Sequence, residues 1–462
     1  MSQSSFAGLE KFAPSLSGAD YGEVFLEKAR GLSLRFEDSK IQETGALSQQ
    51  GLGLRFLRRG KNEVETLQGS SQSLNPDDAA ALYRRLWPKA PAGASVELKP
   101  FVFKSNPVRV PPEEVPTENK VALLRAIDKT LRAEFPNLRQ VSLSYSESQR
   151  EIALANSEGA HQAQKKVAVL FSVSVVAEEN GVLQTGYEVL GALKGYELIE
   201  DSSPLELARQ AAKRALAKLK APKAKAAEMP IVMAASAGGT FIHEAIGHSL
   251  EADHVQEGSS PAYRGKIGSA IACEKISVID DPTLPFYRGS FFFDDDGIEA
   301  RATILVENGI LKDYLYDRVT ALKENKISNG HGRRESFHSH PIPRMSNLYI
   351  APGPDDPQKI LKDLDRGLLV TRMGGGQVNT ANGEFVFEVD EGFWVEQGKI
   401  RHMVRDANLL GIGPEILKSI DKVGWDIGWG IGTCGKDGQG VPVGDGQPTI
   451  HIPKILIGGA HE

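Results

Sequence analysis

The chain has 462 residues, of which 40% are hydrophobic and 25% charged, with a formal charge of −6 and an isoelectric point near 6.0. That length exceeds one average core and implies two or three domains of ordinary globular composition. The acidic balance excludes a broadly basic nucleic-acid surface, two cysteines exclude a disulfide framework, and no run is long and apolar enough to cross a bilayer.

In chain order, residues 23–35, 51–58 and 63–67 have strand-like composition, and residues 77–86 read as a helix. The Pro-rich stretch 88–116 has no clear period and is expected to be a connecting loop. Thr117 opens a helix backed by Val121, Leu123, Leu124 and Ile127. Long strands follow at 167–177 and 182–193, joined through Asn180-Gly181, a pair suited to a two-residue hairpin turn. Residues 204–219 place Leu205, Ala208, Ala212, Ala215, Leu216 and Leu219 on one helical face. Lys218, Lys220, Lys223 and Lys225 read as a solvated helix end and linker.

Residues 221–230, rich in Ala, Lys and Pro, are the expected boundary between domains at 1–222 and 228–462. Beyond it, strands are expected at 303–307 and 310–316 about Asn308-Gly309, then at 384–389, 392–395 and 399–404. The fold class is α+β: a mixed α/β N-terminal domain, then a β-rich C-terminal domain opening with one helix. Residues 1–16 lack the basic start and apolar core of a signal peptide, and sparse cysteines suit a reducing cytosol, so a cytoplasmic location is expected.

That opening helix carries His243-Glu244-Ala245-Ile246-Gly247-His248. Neutral imidazole is a preferred zinc ligand, and a carboxylate beside it can act as base to a water that the metal activates. The familiar metallopeptidase pattern sets its histidines four apart on one helical face. Here they are five apart, which on a regular helix turns the second side chain by about 140° from the first. A π-type turn would restore a common face, so a bulge or break is expected between Ala245 and His248, with Gly247 loosening the backbone there.

A catalytic zinc needs a third protein ligand. Nearby candidates are Glu251, Asp253 and His254; distant ones are His331, His338, His340, His402, His451, Cys273 and Cys434. Cys434 has suggestive surroundings, because glycines flank it and Lys436 favours the thiolate. Cys273 reads instead as a small buried hydrophobe. Asp294-Asp295-Asp296-Gly297 lacks the ligand spacing of an EF-hand and reads as a solvated turn. The glycines at 430, 432 and 435 mimic dinucleotide and phosphate loops, but the glycines and proline beyond them forbid the helix both motifs need. The segment containing Arg333, Arg334, His338 and His340 suits a peptide carboxylate or an oxyanion, or else a surface loop held by Arg–Glu pairs.

Four segments together resemble the TldD/PmbA family, in its metal-binding TldD-like branch: residues 238–251 around the histidines, Gly332-Arg333-Arg334-Glu335-Ser336, Gly428-Trp429-Gly430-Ile431-Gly432-Thr433-Cys434-Gly435-Lys436, and Gly444-Asp445-Gly446-Gln447-Pro448-Thr449. The resemblance covers essentially the whole chain. It implies a zinc metallopeptidase with His243, His248 and Cys434 as ligands and Glu244 as the catalytic base. It further implies unfolded or extended peptide substrates, bound by strand addition inside an enclosed dimer. The partner would be a TldE/PmbA-like paralogue or a second copy, with no nucleic acid and no membrane involved. The rival readings are a cysteine peptidase using Cys434 and a non-catalytic peptide-binding subunit.

Overall fold

The computed structural model describes residue 6 and residues 8–60, 63–88, 96–379 and 381–459. The outer ends of both expected domains, and residues 89–95 of the expected loop, lie outside those described.

The N-terminal half is one twisted sheet with helices on it. Its strands are β1 (Tyr21–Glu37), β2 (Lys40–Arg59), β3 (Val64–Ser71), β4 (Val102–Ser105), β5 (Leu138–Asn156), β6 (His161–Glu179) and β7 (Val182–Ala192). They pair in the order β3-β2-β1-β5-β6, with β4 parallel and β7 antiparallel along the far edge of β6. Alternation drives the packing: Val167, Val169, Phe171, Val173 and Val175 of β6 are all buried. Val169 to Val175 of this face meet Leu124, Ile127 and Leu131 of one helix and Ala208, Ala211, Ala212 and Ala215 of another, α2 (Thr117–Glu134) and α4 (Pro204–Lys220). The other N-terminal helices are α1 (Pro76–Leu86) and the short α3 (Glu197–Asp201).

The C-terminal half contains β8 (Ala227–Met233), β9 (Val278–Asp280), β10 (Thr303–Glu307), β11 (Ile310–Leu311), β12 (Gly332–Arg333), β13 (Ile342–Pro343), β14 (Asn347–Ile350) and β15 (Arg366–Asn379). After these come β16 (Glu384–Glu396), β17 (Lys399–Val404), β18 (Ala407–Ile412), β19 (Lys422–Val423), β20 (Gly428–Lys436), β21 (Gln439–Gln447) and β22 (Ile450–Gly458). Five of them, β8, β22, β18, β16 and β15, pair in a closed ring and form a small barrel. A second sheet runs β11-β10-β9-β14-β21-β20. The motif segment is wedged between the two. Phe241 stacks edge-on against Phe385 and Phe387 of the barrel, at 5.8 and 6.3 Å, while the Gly239 N–H donates to Asp445 O of β21 at 3.0 Å.

Both Asn-Gly hairpins form. Asn180 and Gly181 have φ of 52° and 78°, and Asn308 and Gly309 have 49° and 79°, the paired left-handed conformations of a type I′ turn. The expected strand 310–316 is a strand only over Ile310–Leu311, with a lone bridge from Leu315 to Glu251, and the expected 384–389 and 392–395 are one continuous strand. The expected loop 88–116 contains β4, whose four residues are too few to show a period. β5 escapes the pattern because its stretch from Ser146 to Glu151 is polar on both faces: Glu147 accepts from Lys120 of α2, and Arg150 donates to Glu27 of β1 and to Arg334 O of the C-terminal half.

The two halves meet on buried charge. Arg55 of β2 donates to Glu23 of β1, with Nε to Oε1 at 3.1 Å, and also to Asp296; Arg334 donates to Glu23 from the other side. The segment 294–297 is therefore not the solvated turn expected, since Asp294, Asp295 and Asp296 are all buried. Asp294 accepts from the backbone N–H groups of Asp296, Ile298 and Gly332.

Candidate metal centre

The expected bulge is present between the histidines. The residues His243–Gly247 form a π turn in which the His248 N–H donates to His243 O, and a short 3-10 turn, His248–Leu250, follows. The extra residue is absorbed, and both imidazoles share a face, with ring centroids 5.0 Å apart. Gly247 itself has an ordinary helical φ of −53°. Its missing side chain matters for space instead: a Cβ there would lie 2.2 Å from Met345 Sδ and 2.8 Å from Leu348 Cδ2.

Cys434 comes from β20, opposite Val441 of β21. Its Sγ is 3.3 Å from His248 Nε2, and the possible ligand atoms of His243, His248 and Cys434 all lie within 4.8 Å of one another. Each imidazole is gripped from behind. His243 Nδ1 is 2.7 Å from Asp445 Oδ1, and His248 Nδ1 is 3.0 Å from Glu251 Oε2. Lys436 in turn holds Glu251 at 3.2 Å and Asp253 at 2.7 Å. These carboxylates fix the rings with Nε2 toward the cleft, the supporting shell that metal-binding histidines need.

The electrostatics follow from this packing. Burial opposes charge on His248, but Glu251 and Cys434 raise it to about 9. Burial likewise opposes charge on His243, and Asp445 and Cys434 carry it well above the usual range. Burial would raise the Cys434 thiol, yet the two histidines bring it down to about 5. Glu244 is pushed upward by burial, with the histidines acting against that. It is half-buried in the wall of a cleft of about 560 Å³ that also exposes His243, His248, His254 and Cys434.

The other candidates are elsewhere or have another task. Glu251 and Asp253 support rather than converge, and His254 Nδ1 lies 2.9 Å from His248 O. His331 is buried near Thr303, and burial pushes it down to about 3. His338 and His340 lie against Ser70 and Gln68 of β3, His402 is on β17 and His451 pairs with Asp421. Cys273 is partly buried against the C-terminal core. Arg334 is committed to Glu23, so the Arg–Glu pairing exists but in the interior. Asp445 received no role from the sequence; its place within a Gly-rich motif was the only signal.

Two carboxylate-anchored imidazoles and a cysteine around one cleft form a site able to hold a metal ion, the kind of centre that metallopeptidases use. Comparison with known proteins agrees. Family models match the PmbA/TldA metallopeptidase domain 1 over residues 22–82, the central domain over 110–219 and the C-terminal domain over 226–459. A metalloprotease TldD homolog of Haemophilus influenzae is 32% identical over 96% of this chain and 93% of its own. A zinc metalloprotease TldD homolog of Saccharolobus solfataricus is 29% identical over 74% and 76%. Among solved structures, TldE from Thermococcus kodakarensis superposes with a TM-score of 0.71 at 20% identity, covering 98% of each chain. The chain belongs to the PmbA/TldA metallopeptidase family.

Proposed function

We propose that this chain is a zinc-dependent peptidase of extended, unfolded peptides, with His243, His248 and Cys434 as metal ligands and Glu244 as general base. The observation that carries the reading is the convergence of three ligand atoms within 4.8 Å while both Nδ1 atoms are held by carboxylates. Two imidazole nitrogens and a thiolate suit zinc and leave a position for water. Bound there, zinc would supply Lewis-acid polarisation of the scissile carbonyl and acidify the attacking water. Glu244 accepts the proton that the water sheds and delivers it to the leaving amine nitrogen. Asp445 and Glu251 keep both histidines in the ligating tautomer. The outer edge of β20 pairs with no strand among the described residues, so an extended peptide can add there alongside Cys434. The cleft is proposed to be closed over in a dimer, by a TldE/PmbA-like paralogue or a second copy. A thiolate ligand suits the reducing cytoplasm.

The test is cleavage of an unstructured peptide by freshly purified protein with its zinc content measured in parallel. Activity should vanish on chelation and return with zinc, and Cys434→Ala should lose both metal and cleavage. Cleavage that persists in that metal-free variant overturns the reading.

A second reading is favoured by the 3.3 Å Cys434–His248 contact and the acidified thiol, the pairing a cysteine peptidase uses. Cys434 would then attack the carbonyl carbon and His248 would protonate the leaving amine. Chelation separates the two, because a cysteine peptidase stays active without metal.

A further inference from the structure

We propose that a cation-lined chamber between the two halves of the molecule is a second binding site, which takes a carboxylate of the bound peptide, either its C-terminus or an acidic side chain. The identity of the ligand rests on the peptidase reading above; the chamber itself does not.

The chamber, of about 130 Å³, lies where β5 and β6 face the segments holding Arg288, Arg333 and Pro442. Five cations line it: Arg150, Lys166, Arg288, Arg333 and Arg334. Two are committed within the fold, Arg150 to Glu27 at 3.0 Å and Arg334 to Glu23. Arg333 spends its Nη atoms on the neutral carbonyls of Met345 and Pro442. The side chains of Lys166 and Arg288 have no hydrogen bond or ion pair among the described residues; Lys166 only stands over the Phe291 ring at 5.9 Å.

The acids on the wall do not balance these cations. Asp294 is taken by the three backbone N–H groups already named, and Asp295 accepts from the Arg334 N–H at 2.8 Å. Glu335 is exposed. Burial, followed by repulsion from Arg150 and Arg333, pushes Lys166 down to about 7, with Asp295 and Glu27 acting the other way. Secluded charge without a paired counter-ion is costly, and among the described residues no carboxylate pairs with Lys166 or Arg288. The space suits a small anion with a few waters at about 30 Å³ each. A guanidinium beside an ammonium suits a carboxylate.

Position connects the chamber to the chemistry. The metal cleft shares Thr240, Gly430 and Ile431 with an adjoining groove that runs to Gly191 of β7. A Cβ on Gly191 would lie 2.8 Å from Ile431 Cδ1 and 3.3 Å from Arg288 Cδ, so this glycine lets the groove and the chamber wall meet. Ile431 and Cys434 are three residues apart on β20, about 10 Å of extended chain. A peptide lying along that edge can be cut near Cys434 while its carboxylate, some three residues away, enters the chamber.

The experiment uses the full zinc-loaded chain and one unstructured peptide in three forms: free acid, C-terminal amide, and acidic side chains replaced by their amides. Wild type should show a KM about tenfold lower for the form that keeps the recognised carboxylate, as expected for a charge-assisted contact. The amide arm identifies the C-terminus and the side-chain arm identifies an acidic residue. Lys166→Met and Arg288→Met should erase the preference at unchanged kcat and zinc content and with no loss of thermal stability, and Lys166→Arg should retain it. Equal KM for all three forms in wild type overturns the proposal. So does inorganic phosphate binding to the chamber while no peptide form is preferred. Equilibrium binding of a fluorescent tripeptide acid and its amide keeps the two readings apart. If nothing is cleaved but the acid binds more tightly in a Lys166-dependent way, the subsite stands and the peptidase reading falls.

Discussion

The seam between the two halves and the cleft of the candidate metal centre both bury several charged side chains, but they use them in opposite ways. Around Arg55 in the seam the charges face one another: Arg55 lies between Glu23 and Asp296, and Arg334 closes on Glu23 from the far side. In the cleft the carboxylates of Asp445 and Glu251 stand behind the histidines, and the far nitrogens of those rings turn toward Cys434 and open space. Charge consumed pairwise holds domains together. Charge satisfied on one side only leaves chemistry available on the other.

Glu244 offers the sharpest way to break this contrast, because it has no ion pair among the described residues. Glu244→Gln should lower kcat by about 10²–10⁴-fold, the range for removing a general base, while zinc content and melting temperature stay put. Turnover at the wild-type rate would remove Glu244 from the mechanism.

The seam should respond in the reverse manner. Arg55→Met takes away the cation beside Asp296 and leaves Glu23 with Arg334 alone, and should destabilise the fold by about 3–5 kcal/mol, with kcat and zinc per folded chain unchanged. Acid should do the same in wild type. Burial alone would raise Glu23, but Arg55 and Arg334 outweigh it and bring it down to about 2 from the ordinary 4.5. A depressed carboxylate contributes stability above its unfolded value, and that contribution is lost as pH falls from about 4.5 toward 2. Denaturant midpoints measured down that range should drop in wild type and flatten in Glu23→Gln. A wild-type midpoint indifferent to acid would show that the seam is not held by this charge.

Asp445→Asn is a smaller perturbation within the cleft. The ring of His243 keeps a neighbour but loses the anion behind it, so zinc affinity should fall by about 10–100-fold, read by competition with a chelator, at little cost in stability. Unchanged affinity would mean that Asp445 only braces Gly239 through its backbone.

These contrasts were unevenly legible in the sequence. His243, Glu244 and His248 declare their chemistry by residue type and spacing, and the Asn-Gly turns declare theirs because few residues accept left-handed φ. The seam could not be read this way: Arg55 and Asp296 are 241 residues apart, Arg334 and Glu23 311, and no local pattern announces such partners. Asp294, Asp295 and Asp296 therefore looked like a solvated turn. The polar faces of β5 hid a strand for the same reason, since the partners that explain them, Lys120, Glu27 and Arg334, are distant in sequence.

Gly247 gives the smallest and most specific test, because two physical accounts of it differ. The sequence suggests a glycine placed to loosen the helix, yet its φ is helical and any residue could adopt it. What the site lacks is room beside Met345 and Leu348. Gly247→Ala should therefore gain up to about 1 kcal/mol from helix propensity and lose about 1–3 kcal/mol to overpacking, leaving a modest net destabilisation with zinc still bound. Met345→Ala in the same chain should open that space and recover part of the overpacking loss, measured as a coupling between the two substitutions in a double-mutant cycle. Zinc loss without a stability change, and no coupling to Met345, would instead mean that backbone freedom at Gly247 holds the π turn together.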